Sequence, residues 1–354
     1  MKISILLPYK ENFSVKNAGA VSLYVKDITN ESKFKKKIKI YGETKDKNKL
    51  LSNFVHLDVN NKIFFSKTNA YINEFVKKEK KIQSDLIEIH NRPSYVNFIK
   101  TNLNTKIIIY FHNDPLTMKG SISINERNEL LNKCETIIFN SEWCKSRFIK
   151  NLNSENYINK TLVIPQSTSK VKVNFKNKKK IISFIGKLNT SKGYDSFGKA
   201  ILKILNEFPE WKSIVIGDEP REKLEYNHQR LKLFGFKTNK FILNKLKDVS
   251  ISVVPSKWNE PFGRSSLEAS SRGCALITSN RGGLSETTKD CLVISDITEK
   301  SIYKKIKLLI KNEKLRKKLQ KNTYKNFFLT NQYVSKLIDN LRDSFFLNRN
   351  KKIN

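Results

Sequence analysis

The chain has 354 residues, a hydrophobic fraction of 38% and a formal net charge of +35 with a sequence pI near 9.9. That length suits two compact domains, and the strongly apolar stretches end after a few residues, far short of the roughly 18 to 20 that a membrane-spanning helix needs. Lysine outnumbers arginine and is spread over the whole chain instead of clustering with arginine and aromatics on one face, so nucleic acid is not expected as a partner, while an anionic membrane surface stays open.

Short, nearly continuous β-branched runs at 3–7, 38–41, 85–89, 106–111, 136–139 and 161–165 predict strands covered on both faces, with helical patterns between them. The first run has no small-residue cleavage pattern and reads as a strand, not a secretory signal, so a cytoplasmic location is expected, with peripheral attachment to the inner membrane face as a variant. A polar, basic stretch at 166–180 reads as a linker. The strand pattern then restarts at 181–185, 213–216, 241–243, 250–254, 275–278 and 292–294, and from 299 onward only helical periodicity remains. The expected division is an N-terminal domain over 1–170, a C-terminal domain over 171–330 and a closing helical segment over 331–354. Cys134, Cys144, Cys274 and Cys291 form no Cys-x-x-Cys pair and read as structural thiols, and His56, His90, His112 and His228 lack zinc-pair spacing, so no metal is expected.

The segment 253–273 carries the chemistry. A strand closes at Pro255, a loop delivers Glu260, and a helix is expected from near Phe262 to a stop at Gly273. The amides of Phe262, Gly263 and Arg264 would then be open to an anion or an electron-rich oxygen, and Glu268 lies about two turns along. By residue type alone, a helix cap plus a solvated glutamate explains the pattern as well as a binding site does.

The string Pro255-Ser256, Glu260-Pro261-Phe262-Gly263, Glu268-Ala269 and Gly273-Cys274-Ala275-Leu276-Ile277 resembles, nearly position by position, the donor-site motif of glycosyltransferase family 4, retaining enzymes of GT-B fold. Gly186-Lys187-Leu188 and Lys192-Gly193 resemble the same family's Gly-Arg-Leu and Lys-Gly element, in which two cations hold the donor pyrophosphate; Lys187 stands where arginine is usual, and loses its bidentate fork. Gly282-Gly283-Leu284-Ser285-Glu286 is similar to the family's Gly-Gly-Leu-Pro-Glu turn, with its glycines assigned to the turn itself. The N-terminal half matches more loosely. Gly19 stands where a glycine-rich loop approaches the donor phosphate, and His112-Asn113-Asp114 resembles a strand-end element whose histidine faces the donor sugar.

The resemblance implies an α/β protein of two Rossmann-like, doubly wound domains facing across a cleft, with the last helix returning to the N-terminal domain. It implies transfer of a sugar from a nucleoside-diphosphate sugar to an acceptor hydroxyl, without cofactor or metal. His112, Lys192 and Glu260 become the catalytic candidates. Gly19, Gly186, Lys187, Lys192, Glu260, Phe262, Gly263, Arg264 and Glu268 become the donor-binding candidates. Acceptor contacts are sought at Asn91 and Arg92, because ligands of doubly wound sheets bind at strand carboxyl ends. By association the acceptor is a glycan or lipid-linked molecule, as in lipopolysaccharide or other surface polysaccharide. The rivals are an inactive protein of the same fold, a related enzyme that hydrolyses or phosphorolyses a sugar bond, and a basic nucleic-acid-binding protein.

Overall fold

The computed structural model describes residues 2–59, 66–153, 155 and 157–350; the last residues of the expected closing segment, 351–354, lie outside these. The chain divides into an N-terminal unit, Met1–Ser167 with Asn331–Asn354, and a C-terminal unit, Thr168–Thr330.

In the N-terminal unit, strands β1 (Ile3–Leu6), β2 (Ile38–Gly42), β3 (Phe54–His56), β4 (Leu86–His90), β5 (Lys106–Phe111), β6 (Thr136–Phe139) and β7 (Thr161–Val163) form a parallel sheet in the order β3-β2-β1-β4-β5-β6-β7 among the described residues. β1, β4 and β6 are buried throughout, which is why they read as unbroken apolar runs. On one face, Ile87, Ile89, Ile107 and Ile109 pack under helices α2 (Lys67–Ile82), α3 (Tyr95–Asn102), α4 (Ile124–Lys133) and α5 (Glu142–Ile149). On the other, Ile3, Ile5, Leu86 and Ile108 pack under α1 (Ala20–Glu31).

The C-terminal unit repeats the plan. Its sheet runs β10-β9-β8-β11-β12-β13, from β8 (Lys179–Ile185), β9 (Lys212–Ile216), β10 (Leu231–Leu233), β11 (Val249–Val254), β12 (Ala275–Ser279) and β13 (Cys291–Ile294). Helices α6 (Tyr194–Glu207), α7 (Asn239–Leu246), α8 (Arg264–Ser271), α9 (Glu299–Lys311) and α10 (Glu313–Lys325) complete it. These are two parallel-sheet Rossmann-like domains, the GT-B fold class. The final helix, α11 (Asn331–Asn350), belongs to the N-terminal unit. Its Val334 and Ile338 are fully buried with Val21, Val25 and Ile28 of α1, each such side chain contributing roughly 1.5–3 kcal/mol.

Several expectations need correction. The run 241–243 is not a strand but the middle of α7, capped by Thr238, whose side chain accepts from the Phe241 amide. Phe241, Ile242 and Leu246 join one apolar cluster, which is a helical repeat. The strand beside β9 is instead the short Leu231–Leu233, which, like Phe54–His56 in the other sheet, is an edge strand too brief to show a period. Helix α8 starts at Arg264, two residues after the expected Phe262. The polar stretch read as linker is tied down at its start: Gln166, Ser167 and Thr168 are buried, and the Thr168 amide donates to Leu329 O at 3.2 Å.

Candidate functional site

Each sheet has one place where the strand order reverses, between β1 and β4 and between β8 and β11. The carboxyl ends flanking that point are where doubly wound sheets bind ligands.

In the C-terminal unit, Gly186 follows β8 and Pro255 follows β11. A side chain at Gly193 (φ +72°) would put Cβ 2.0 Å from Pro255 O, so only glycine lets the Lys192-Gly193 loop lie against the end of β11. Ser191 O then accepts from the amides of both Lys257 and Trp258, and Asn189 Oδ1 accepts from the Lys192 amide at 3.0 Å. From the other side, Gly282 (φ +61°) sits where a Cβ would come 2.3 Å from Glu260 O, and the Gly283 amide donates to that oxygen at 2.7 Å. The glycines assigned to a turn therefore also clamp the backbone of Glu260. Held from both sides, Lys192 Nζ and Glu260 Oε1 meet at 2.6 Å, with the side chains 28% and 13% exposed. Lys187 is exposed one residue beyond Gly186. The lysine loop is braced by acids: Glu222 accepts from the Thr190 amide at 2.8 Å, and Glu219, held down to about 2 by hydrogen bonding from Arg221, accepts from Asn189.

Glu268, on α8, is buried, and its Oε1 accepts from Arg264 Nε at 2.9 Å and Asn239 Nδ2 at 2.6 Å. Gly263 (φ +109°) caps α8 against Leu284, and Phe262 is anchored among Leu267, Phe327 and Leu329. The structure thus brings Gly186, Lys187, Lys192, Glu260, Phe262, Gly263, Arg264 and Glu268 into one unit. Asn239 escaped the sequence reading because its segment was taken for a strand; the Thr238-Asn239 cap ahead of an i, i+4 apolar repeat was the available signal.

In the N-terminal unit, His112 follows β5 and is held at both backbone ends. Its amide donates to Asn91 Oδ1 at 2.7 Å, and its carbonyl accepts from Asn140 Nδ2 at 3.0 Å. Asn91, placed among the acceptor candidates, is 3% exposed and left-handed (φ 54°), and Arg92 Nη1 donates to its carbonyl at 2.7 Å. His90, which the sequence reading did not single out, puts Nδ1 2.8 Å from His112 Nε2. Gly19 caps α1, but the anion at that helix start is the chain's own Glu11, whose Oε1 accepts from the Ser22 amide at 3.0 Å and whose pKa burial pushes up. Among the described residues no group of three or more His, Cys, Asp or Glu is placed to hold a metal ion, and the four cysteines are free thiols.

Residues 165–326 match the family model described as Glycosyl transferases group 1. The matched residues span nearly the whole C-terminal unit, Thr168–Thr330. The chain is 27% identical over 298 residues to "Uncharacterized glycosyltransferase MJ1178" of Methanocaldococcus jannaschii, covering 80% of this chain and 81% of that one. Among solved structures, Anabaena Alr3699/HepE, in complex with UDP and glucose, superposes with a TM-score of 0.75 at 16% identity, covering 97% of this chain and all of that one. The lipopolysaccharide outer core galactosyltransferase WaaB superposes with a TM-score of 0.65 at 14% identity, covering 95% and 98%. The enzyme class that follows is glycosyltransferase.

For a glycosyltransferase the arrangement supplies two distinct tools. Lys192 and Lys187 offer cations to a diphosphate, where charge-assisted bonds strengthen as the leaving group gains charge. Glu260 and Glu268 offer acceptor oxygens for hydroxyls, Glu268 from a rigid helix and fixed by two donors.

Proposed function

We propose that the chain is a retaining glycosyltransferase that moves a sugar from a nucleoside-diphosphate sugar to a hydroxyl of a glycan or lipid-linked acceptor, in the synthesis of lipopolysaccharide or another surface glycan. The observation that carries this reading is the Lys192–Glu260 pair, clamped by Gly193 and Gly282 at the strand-order reversal of the group 1 domain, one helix start away from buried Glu268. Glu268 accepts from the ribose hydroxyls, Lys187 and Lys192 hold the pyrophosphate, and Glu260 with the amides at the start of α8 holds the sugar. Donor binding redirects Lys192 from Glu260 to phosphate, freeing the carboxylate for sugar hydroxyls. In the transfer, the bond from the anomeric carbon to the diphosphate oxygen breaks. The acceptor oxygen bonds to that carbon on the same face, and its proton passes to the leaving phosphate. The N-terminal unit contributes His112, which stabilises the positive charge that develops on the sugar. The lysine-rich surface suits an acceptor presented at an anionic membrane face. A UDP complex of one structural relative and the lipopolysaccharide role in the name of another support the donor and acceptor classes.

Thermal shift with a panel of nucleoside diphosphates and their sugars tests this, because a ligand of the native state raises the melting temperature. One nucleotide should stabilise the wild type. Glu268→Ala should weaken its binding by roughly 10- to 100-fold, the worth of a charge-assisted hydrogen bond, and Lys192→Ala should cut turnover by about 10²–10³. Equal shifts and turnover in both variants and the wild type would sink the site.

A further inference from the structure

The carboxylate of Glu268 is held from two helices at once. Arg264, one turn earlier on α8, donates from Nε to Oε1 at 2.9 Å, and Asn239, at the first position of α7, donates from Nδ2 to the same oxygen at 2.6 Å. A carboxylate only accepts, so it is the amide N–H of Asn239 that faces it. This second donor comes from 29 residues away in sequence and depends on how α7 is set. The Thr238 side chain accepts from the Phe241 amide at 3.4 Å and starts the helix at Asn239. Leu246 of α7 and Ala269, the neighbour of Glu268 on α8, are fully buried in one apolar cluster, against which Phe241 and Ile242 pack. That packing fixes the start of α7 beside α8. Glu268 is only 4% exposed, so its carboxylate relies on protein donors instead of water.

We propose that Asn239 is a positioning residue that aims Glu268 at the donor's ribose, and that through it the enzyme prefers a nucleotide carrying its ribose hydroxyls over one that lacks them. This rests on the role given above to Glu268. The two donors pull on Oε1 from different directions, so the carboxylate can swing only by giving one of them up. An arginine fork matches both oxygens of a carboxylate. With Asn239 gone, nothing on α7 opposes the pull of the Arg264 guanidinium, and the carboxylate turns to face that fork. Ribose hydroxyls must then compete with a cation on the same helix. With Asn239 in place, the plane of the carboxylate is set before the nucleotide arrives, and binding needs no reorientation. A site built to accept from a substrate hydroxyl discriminates against the analogue without it, and the discrimination is as sharp as the acceptor is well placed. Asn239 acts through Glu268 and meets no hydroxyl itself.

Calorimetric titration of the full chain with UDP, GDP and ADP, each beside its 2′,3′-dideoxy form, tests this, because the dideoxy form has no ribose hydroxyl to meet Glu268. The wild type should bind the ribose form of its nucleotide at least about 10-fold more tightly than the dideoxy form, as a hydrogen bond to a charged group implies. Asn239→Ala and Asn239→Asp both remove the amide donor, the first by truncation and the second at unchanged size. In each, the ratio should fall to roughly 3-fold or less, and in Asn239→Ala the dideoxy form should bind as it does to the wild type. Should Asn239→Ala fail to fold, the isosteric Asn239→Asp still decides through the ratio. If Asn239→Ala weakens both forms alike, Asn239 meets the base or only holds α7, and the proposal is overturned. A ribose preference that persists in either folded variant overturns it too, and leaves the donor site standing. Equal affinity of the wild type for both forms, or no binding of any nucleotide, removes the donor-site reading and this proposal with it.

Discussion

The two units share one sheet plan but place their polar side chains in opposite ways. In the C-terminal unit the Lys192–Glu260 pair stands part-exposed at strand ends, held by backbone contacts that only glycine permits. In the N-terminal unit His112 rests on a buried column reaching from His90 through Glu88 to Arg342, 254 residues away from Glu88 in sequence. The Lys192–Glu260 charges stay near water and are fixed through the main chain. The Glu88–Arg342 pair beneath His112 is held by side chains alone, and breaking such a buried pair leaves one charge uncompensated.

The comparison can be broken most forcefully at Arg342. Arg342→Ala leaves Glu88 buried and unpaired, and should cost about 3–5 kcal/mol, seen as a lowered urea midpoint with hydrogen-exchange protection lost first in β1, β4 and α1. Protection lost equally across β8–β13 would mean that the column does not serve the N-terminal unit alone. Gly282→Ala is the counterpart. With Cβ forced to 2.3 Å from Glu260 O at a left-handed φ, the strain of about 1–3 kcal/mol should appear chiefly as weaker nucleotide-sugar binding, leaving the amides of β1 and β4 protected.

The smallest effect is the pH dependence that His90 imposes. Burial depresses its folded pKa, so the unfolded chain binds the extra proton first. The stability it supplies is complete above about 6.5 and is lost as pH falls below that value, by at most about 1.4 kcal/mol per pH unit. Denaturant melts from pH 8 to 5 should show this slope flattened in His90→Asn. An equal slope in both proteins would assign the acid loss to other groups.

The sequence made the C-terminal site legible because its residues fall in two contiguous strings, 184–193 and 253–273, where loop, cap and helix follow one another at fixed spacing. Glu260 and Glu268 could be assigned to a loop and a helix before any coordinates. Asn239 could not, since its role depends on α7 approaching α8, and three apolar residues in a row suit a strand or a helix equally. The N-terminal column was hidden for a stronger reason. His90 and Glu88 share β4, but Tyr24 lies on α1 and Arg342 on α11, three separate segments, and no local period says that a polar residue on a buried strand has its partner on the last helix. The strands themselves were readable, save the two short edge strands, because burial on both faces leaves an apolar run that needs no partner to be recognised.

That last helix gives the chain an unusual order of completion. Strands β1 to β7 are synthesised first, yet the face of β1 and β4 that α11 covers, and the carboxylate of Glu88 beneath it, wait until residues 168–330 have also been made. The C-terminal unit, whose entry and exit are joined by the Thr168 and Thr330 bridge, has all its own parts by then. The half of the molecule that leaves the ribosome first is therefore the half that is completed last, and until α11 is made the apolar face of β1 and β4 and the carboxylate of Glu88 lack their cover.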